Sequence, residues 1–352
     1  MRPSAVAALA HAGASYLGTS HRQAPVKSMV GRLRDGLSSL FSLPDGYEVA
    51  LGNGGASLFW DMAAVSLVDR HSQHVVFGEF SSKFAAAVSA APHLETADVI
   101  ESPAGTHGAA EARAGVDLYA LTHNETSTGV AMPIARPEGA DPGSLVAVDA
   151  TSAAAGIRFD PGAVDAYYFA PQKCLGSDGG LWIALLSPAA VERAERLCAS
   201  AGRWVPTSLD LATALASSRK NETVNTPALA TLFMVVDQVE WMLTNGGLDW
   251  AASRSEASAE TLYGWANSSS YATPFVAKPA ERSPVVGTID LNASIDAPTV
   301  CAVLRANGIV DTEPYRKLGR NQLRIAMFPT VDPADVAALT HCVDHVVGAL
   351  SR

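Results

Sequence analysis

From about residue 47 the chain alternates short, continuously apolar runs with stretches whose apolar residues recur at helical spacing, and this pattern restricts the fold more than any single motif. "YEVALG" leads into "GGASLFWDMAAVSLV", and "HVVFGEF" into "SSKFAAAVSAAP". "VDLYALTHNE", "SLVAVDAT", "DAYYFAPQK" and "GLWIALLS" are further strand candidates. Strands that are apolar throughout, rather than on alternate residues, belong to a sheet covered on both faces. The pattern predicts a mostly parallel α/β unit, whose ligands collect at the carboxyl ends of the strands. With 352 residues, 48% of them hydrophobic, the chain is long enough for one large core and a smaller unit.

The boundary falls near residue 250. Residues 228–245 read as one long apolar helix stopped by Gly246 and Gly247. A more polar helix, "DWAASRSEASAETLYGWANSS", follows. It precedes a strand-like "SPVVGTIDLN", a helix "PTVCAVLRANGI", a strand "NQLRIAMFP" and a closing helix. The reading is a large unit over 1–249 and a smaller α+β unit over 250–352, with no internal repeat. The amino-terminal "MRPSAVAALAHAGASYLG" is read as a helix and not as an export signal, because His11 interrupts its apolar run and no cleavage site is evident.

Several function classes are disfavoured. A net charge of −10 opposes binding to nucleic acid or anionic membranes, since phosphate backbones select basic surfaces. No apolar run reaches the roughly 18 residues of a membrane span. Cys174, Cys198, Cys301 and Cys342 are scattered without a CxxC pair, so neither a metal site nor a disulfide framework is expected, and a reducing cytoplasm fits.

Four features follow strands in the large unit. The glycine-rich "LGNGGAS" (51–57) can bring backbone amides to a phosphate at a helix N-terminus, although a tight strand-to-helix turn needs glycine in any case. It matches neither GxGxxG nor GxxxxGK[ST]. Phe80, taken alone, reads first as an ordinary core aromatic. Asp149 ends an apolar strand, where a carboxylate is costly unless paired or capping a helix. Lys173, also at a strand end, either snorkels to solvent or is a desolvated amine that attacks carbonyls. Together the four match the needs of pyridoxal 5′-phosphate (PLP): a phosphate cradle, an aromatic on the ring, a carboxylate for the pyridine nitrogen and an imine-forming lysine.

On these residues the chain resembles the phosphoserine aminotransferases, in the class V branch of the fold-type I PLP enzymes, and most closely the actinobacterial form. The likeness covers nearly the whole length. It is carried by "GTSHRQAP", "LGNGGAS", "THNETSTG", "VDATSAAAG", "APQKCLGSDGG", "NTPAL" and "NQLRIAMFP", in that order and at matching spacing. The resemblance implies a seven-stranded large-domain sheet. It implies the imine at Lys173, the ring nitrogen on Asp149, and Phe80 at the position of a ring-stacking aromatic. Thr128, or its neighbour Thr126, would reach the ring's phenolic oxygen. Gly55, Ala56 and Ser57, aided by Gln172, would hold the phosphate. Asn225 and Thr226 would reach it from the other subunit of a homodimer.

Substrate contacts implied by the family are His21 and Arg22, again from the neighbouring subunit, and Arg324 for the α-carboxylate. A charged Arg324 inside the strand pattern "LRIAM" is out of place without such a role. Two departures stand out. Ala56 occupies a position where many members carry an arginine, and "YRKLGR" replaces an upstream histidine. Arg316, Lys317 and Arg320, with His21 and Arg22, are expected to supply the missing phosphate contacts. Relatives also carry a short "GPS"-type segment before the "RP" with which this chain nearly begins, so an N-terminal strand or loop is expected to be missing or mis-started.

The implied reaction moves an amino group from glutamate to 3-phosphohydroxypyruvate, as in serine biosynthesis. Other class V activities, such as alanine–glyoxylate transamination, do not need the paired basic groups. A cysteine desulfurase needs a mobile nucleophilic cysteine, and Cys174 is read as structural. A PLP-binding protein without turnover predicts loss of Lys173 or Arg324, and both are present.

Overall fold

The structure is a computed structural model that describes residues 1–350, and of Ala14 only the backbone. Two N-terminal helices, α1 (Pro3–Tyr16) and α2 (Ala24–Leu40), precede the sheet. Seven strands form the large sheet: β1 (Glu48–Gly54), β2 (Ser72–Val76), β3 (Asp98–Glu101), β4 (Leu118–Thr122), β7 (Leu145–Asp149), β8 (Ala166–Phe169) and β9 (Gly180–Leu186). Between β4 and β7 a two-stranded ribbon is made by β5 (Asn124–Glu125) and β6 (Val130–Ala131). The large-sheet order is β1-β9-β8-β7-β4-β2-β3, and only β9 runs against the others, pairing antiparallel with both neighbours. This is the doubly covered, mostly parallel sheet that the continuous apolar runs predicted.

The runs conceal a period of two. Val146, Val148, Tyr167 and Phe169 face a core built with α2 and α7 (Leu229–Thr244), through Leu33, Leu37, Val235 and Val239. The alternate residues Ala147, Ala166 and Tyr168 face a second core with α3 (Ala56–Ser66) and α4 (Glu79–Ser89). The second face is rich in alanine, including Ala50, Ala120 and Ala184, which leaves room for the aromatics of α3. There Phe59 stacks on Tyr168 with ring centroids 4.4 Å apart. Helices α5 (Pro188–Cys198) and α6 (Leu211–Ser218) complete that side. Strand β3 had no strand signal in the sequence. It is a short edge strand whose four residues are all at least partly solvent-accessible, so no apolar run marks it.

The smaller unit has a three-stranded antiparallel sheet, β10 (Ala272–Pro274), β11 (Val286–Leu291) and β12 (Gln322–Ala326). It is packed by α8 (Gly247–Ser268), α9 (Ala297–Ala306) and α10 (Pro333–Leu350). Helix α8 joins the units, because Ala251 packs in the large-unit core and Ala259, Leu262 and Ala266 in the small-unit core. Among the described residues, no helix is long and apolar enough to cross a membrane.

Candidate active site

The carboxyl ends of β1, β4, β7 and β8 open on one edge of the large sheet. A cleft of about 270 Å³ lies there, lined by Gly55, Ala56, Ser57, Trp60, Phe80, Thr122, Asn124, Thr126, Asp149, Thr151, Gln172 and Lys173. Residues from five separate stretches of sequence therefore meet in one place. An adjoining cleft of about 300 Å³ shares Thr126, Gln172 and Lys173 and continues to Asp311, Arg324 and Phe328. A larger groove of about 620 Å³ lies between α9 and α10, but its lining is apolar apart from Asn307, His341 and His345.

Asp149 forms the closed end. It is 3% exposed and forms no ion pair among the described residues. Its Oδ2 accepts the Trp60 indole N–H at 3.0 Å, and its Oδ1 accepts the Thr151 amide at 2.9 Å and the Thr151 hydroxyl at 2.6 Å. Burial raises the carboxyl pKa, and the three donors only partly oppose that shift. An uncompensated buried carboxylate of this kind suits a cationic partner.

Lys173 sits in a turn just beyond β8, closed by the Gly176 amide on its carbonyl at 2.9 Å. Burial lowers its pKa, and the positive charge of Arg324 lowers it further. Both effects favour the neutral, nucleophilic amine. Cys174 turns away from the cleft, with its Sγ donating to the Ser152 carbonyl at 3.2 Å, and burial pushes its thiol pKa far up.

Gly55, Ala56 and Ser57, expected from the sequence to cradle a phosphate, lie at the start of α3. No side chain caps that helix end. A helix leaves its first-turn amides without intrahelical acceptors, and here they open on the cleft at Gly55, Ala56 and Ser57.

Phe80 is not in a loop after β2 but in the first turn of α4. That turn is gripped from beneath by Glu125, which is fully buried. The Glu125 carboxylate accepts from the amides of Phe80 (3.1 Å) and Ser81 (2.9 Å) and from the hydroxyls of Ser81 (3.0 Å) and Ser127 (2.7 Å). Ser127 Oγ in turn accepts the Glu79 amide at 3.1 Å. A carboxylate at a helix N-terminus is stabilised by the helix dipole. Gly78 is required here, since a Cβ would lie 2.3 Å from Glu125 Cγ.

Of the two candidate threonines, Thr126 lines the cleft, its hydroxyl donating to Ser152 at 2.8 Å. Thr128 is not on the wall: its backbone carbonyl accepts the Thr288 hydroxyl at 2.9 Å. Among the described residues its own buried Oγ1 has no partner, and neither does Oδ1 of Asn124, which does line the cleft. The sequence reading passed over Asn124, Trp60 and Thr122. The signal for Trp60 was its place one helical turn after Ala56, on the same face of α3.

Arg324, half-buried on β12, faces the second cleft. Among the described residues it forms no ion pair, and its guanidinium lies over the Tyr315 ring, 5.6 Å from the centroid. Arg316 and Lys317 lie in an exposed 3-10 turn. Lys317 is already paired with Glu79, next to Phe80, whereas Arg316 has no acidic partner among the described residues. His21 and Thr226, both far from Lys173 in sequence, meet through a 3.0 Å hydrogen bond, and Asn53 at the end of β1 donates to the Thr226 carbonyl at 2.6 Å. Arg22, Asn225 and Thr226 are exposed.

No group of three or more His, Cys, Asp or Glu side chains among the described residues is arranged to hold a metal ion. The residues do fit PLP. A capless helix end suits the phosphate, and Asp149, buried with no ion pair among the described residues, suits a protonated ring nitrogen. The half-buried amine of Lys173 lies on the same wall, and Asn124 Oδ1, which has no partner among the described residues, leaves a polar contact for the ring.

Comparison with known proteins agrees with this geometry. The family model for class-V aminotransferases matches residues 19–312. A putative phosphoserine aminotransferase of Mycobacterium avium is 59% identical over 351 residues, covering 99% of this chain and 93% of the relative. A phosphoserine aminotransferase of a Nocardioides species is 60% identical over 344 residues, covering 97% and 92%. Among solved structures, a phosphoserine aminotransferase of Cytophaga hutchinsonii superposes with a TM-score of 0.88 over 97% of this chain and 94% of that one. At 24% identity the last likeness speaks for the fold alone.

Proposed function

The chain belongs to the class-V aminotransferase family, and from that membership we propose that it is a PLP-dependent enzyme moving an amino group between glutamate and 3-phosphohydroxypyruvate, yielding phosphoserine and 2-oxoglutarate. The observation that carries the reading is that Lys173 lies on both clefts. One holds Asp149 and the α3 N-terminus, and the other holds Arg324.

Gly55, Ala56 and Ser57 with Gln172 would hold the cofactor phosphate, and Asp149 its ring nitrogen. Phe80 would flank the ring, and Thr126 or Asn124 would contact its phenolic oxygen. When bound, PLP supplies an aldehyde that takes up amino groups and a ring that accepts electron density from the substrate carbon. Asp149 keeps the proton on the ring nitrogen. Lys173 Nζ, on both clefts, would be the base placed to take and return the substrate Cα proton. Arg324 orients the substrate by its α-carboxylate, for which a planar guanidinium offers two parallel donors. Glutamate and phosphoserine share that carboxylate and differ in the distal anion, so one basic pocket serves both in turn. Arg316, with His21 and Arg22, is the proposed source of that distal charge.

His21 meets Thr226 through a hydrogen bond, and Arg22, Asn225 and Thr226 are exposed, which supports the reading that they complete the site of a second subunit in a homodimer. A holoenzyme that sediments as a monomer counts against this. The substrate assignment is tested by comparing kcat/KM for phosphoserine, glutamate and alanine as amino donors. Strong preference for the first two is expected, and equal use of alanine overturns it.

A further inference from the structure

We infer that Tyr315 is a positioning residue for the substrate α-carboxylate, acting through Arg324. The inference deepens the reading of the site just given and rests on it. An arginine side chain without an anionic partner has many rotamers, and fixing one of them costs entropy. Arg324 forms no ion pair among the described residues. It shares the second cleft with Asp311, whose carboxylate, like that of Glu313, is paired with Arg305, so a contact other than an ion pair holds its fork in place. The face of Tyr315, 5.6 Å from the guanidinium carbon, is that surface. It attracts the cation without consuming the N–H donors that the substrate needs.

Tyr315 is itself fixed from three directions. Its ring lies 5.9 Å from that of Phe80, tilted by 58°. Its carbonyl accepts the Leu318 amide at 3.0 Å, closing the turn, and Gly319 then reverses the chain with φ 65° toward β12. Lys317, two residues on, pairs with Glu79 in the first turn of α4. The Arg324 amide donates to the Thr312 carbonyl at 3.0 Å, so the chain on both sides of Tyr315 is tied to the same strand. Phe80, Tyr315 and Arg324 thus form a file from the wall of the cofactor cleft to the carboxylate-binding strand of the small unit. In this arrangement Lys317 is paired with Glu79, so the pair anchors the turn, and Arg316 has no acidic partner among the described residues.

Because both amino donors present the same α-carboxylate to Arg324, loss of the Tyr315 ring must weaken both by the same factor. The test uses the holoenzyme, with steady-state constants for phosphoserine and glutamate and the dissociation constant of maleate, a non-reacting dicarboxylate, read by fluorescence. Tyr315→Leu is expected to raise both KM values and the maleate constant alike, by about five- to tenfold, with kcat changed by less than about twofold. Tyr315→Phe, which keeps the ring, should stay near wild type. In an Arg324→Lys background Tyr315→Leu should add nothing further. Unchanged maleate affinity, an effect confined to phosphoserine, or full additivity with Arg324→Lys overturns the proposal. If Tyr315→Leu does not fold, Tyr315→Gln, suited to a half-exposed turn, takes its place. Should wild type ignore phosphoserine altogether, the substrate reading fails, while the glutamate and maleate arms still decide the role of Tyr315.

Discussion

The indole N–H of Trp60 donates to Asp149 Oδ2 at 3.0 Å, across 89 residues of sequence and from a helix to a strand end. The bond aims a buried carboxylate into the cleft while Thr151 holds its other oxygen. Trp60→Phe keeps most of the apolar volume and removes the donor. A hydrogen bond to a charged group contributes about 1.5–3 kcal/mol, so PLP affinity of the apoprotein is expected to fall at least about tenfold. Titration of apoprotein with PLP measures it, and wild-type affinity in the variant would show that Thr151 alone suffices.

Asp149 also makes a pH prediction for the apoprotein. Burial raises its folded-state pKa above the unfolded value. The stability it contributes is therefore full below the unfolded pKa and is lost as pH rises through the folded one. Asp149→Asn stays neutral throughout. The variant apoprotein should match wild type in acid and become progressively more stable than wild type toward neutral pH, while binding PLP more weakly. Glu125, whose pKa burial also raises, is common to both proteins and cancels. Thermal unfolding across roughly pH 4 to 8 reads the difference, and a gap that closes as pH rises contradicts the assignment of cause.

Lys173→Ala removes the amine but leaves Asp149 and the α3 N-terminus intact. Turnover should fall by more than about 100-fold, the usual contribution of a positioned base being of that order or larger. PLP should still bind, yet no cofactor mass should remain on the chain after borohydride reduction and denaturation. Substantial residual turnover would remove Lys173 from its role.

Glu125→Gln replaces an acceptor oxygen with an amide that points hydrogens at the donors of Phe80, Ser81 or Ser127. Leaving buried donors unmatched costs about 1–3 kcal/mol, to be read from denaturant midpoints. The first turn of α4 carries Phe80, so PLP affinity should drop as well. A purely global effect predicts that affinity is unchanged once the variant is folded, and that result would separate Glu125 from the ring-facing wall.

Much of this molecule is legible along the chain. Continuous apolar runs broken by helices can be buried only as a sheet covered on both faces, and glycine, aspartate and lysine at the ends of such runs are brought to one edge by that topology. Asp149 and Lys173 could therefore be singled out without coordinates, as could Arg324 by its misplaced charge. Strand β3 escaped because an edge strand with partly exposed residues carries no apolar signature. Thr126 and Thr128 could not be told apart, since they follow the short β5 in a tight turn where no repeat fixes which side chain faces the cleft. The indole on Asp149, the Glu125 carboxylate beneath Phe80 and the Tyr315 ring beneath Arg324 were decided by tertiary structure alone. Each joins residues separated by a strand, a helix or a unit boundary, and their distance depends on how those elements pack, which local pattern does not encode.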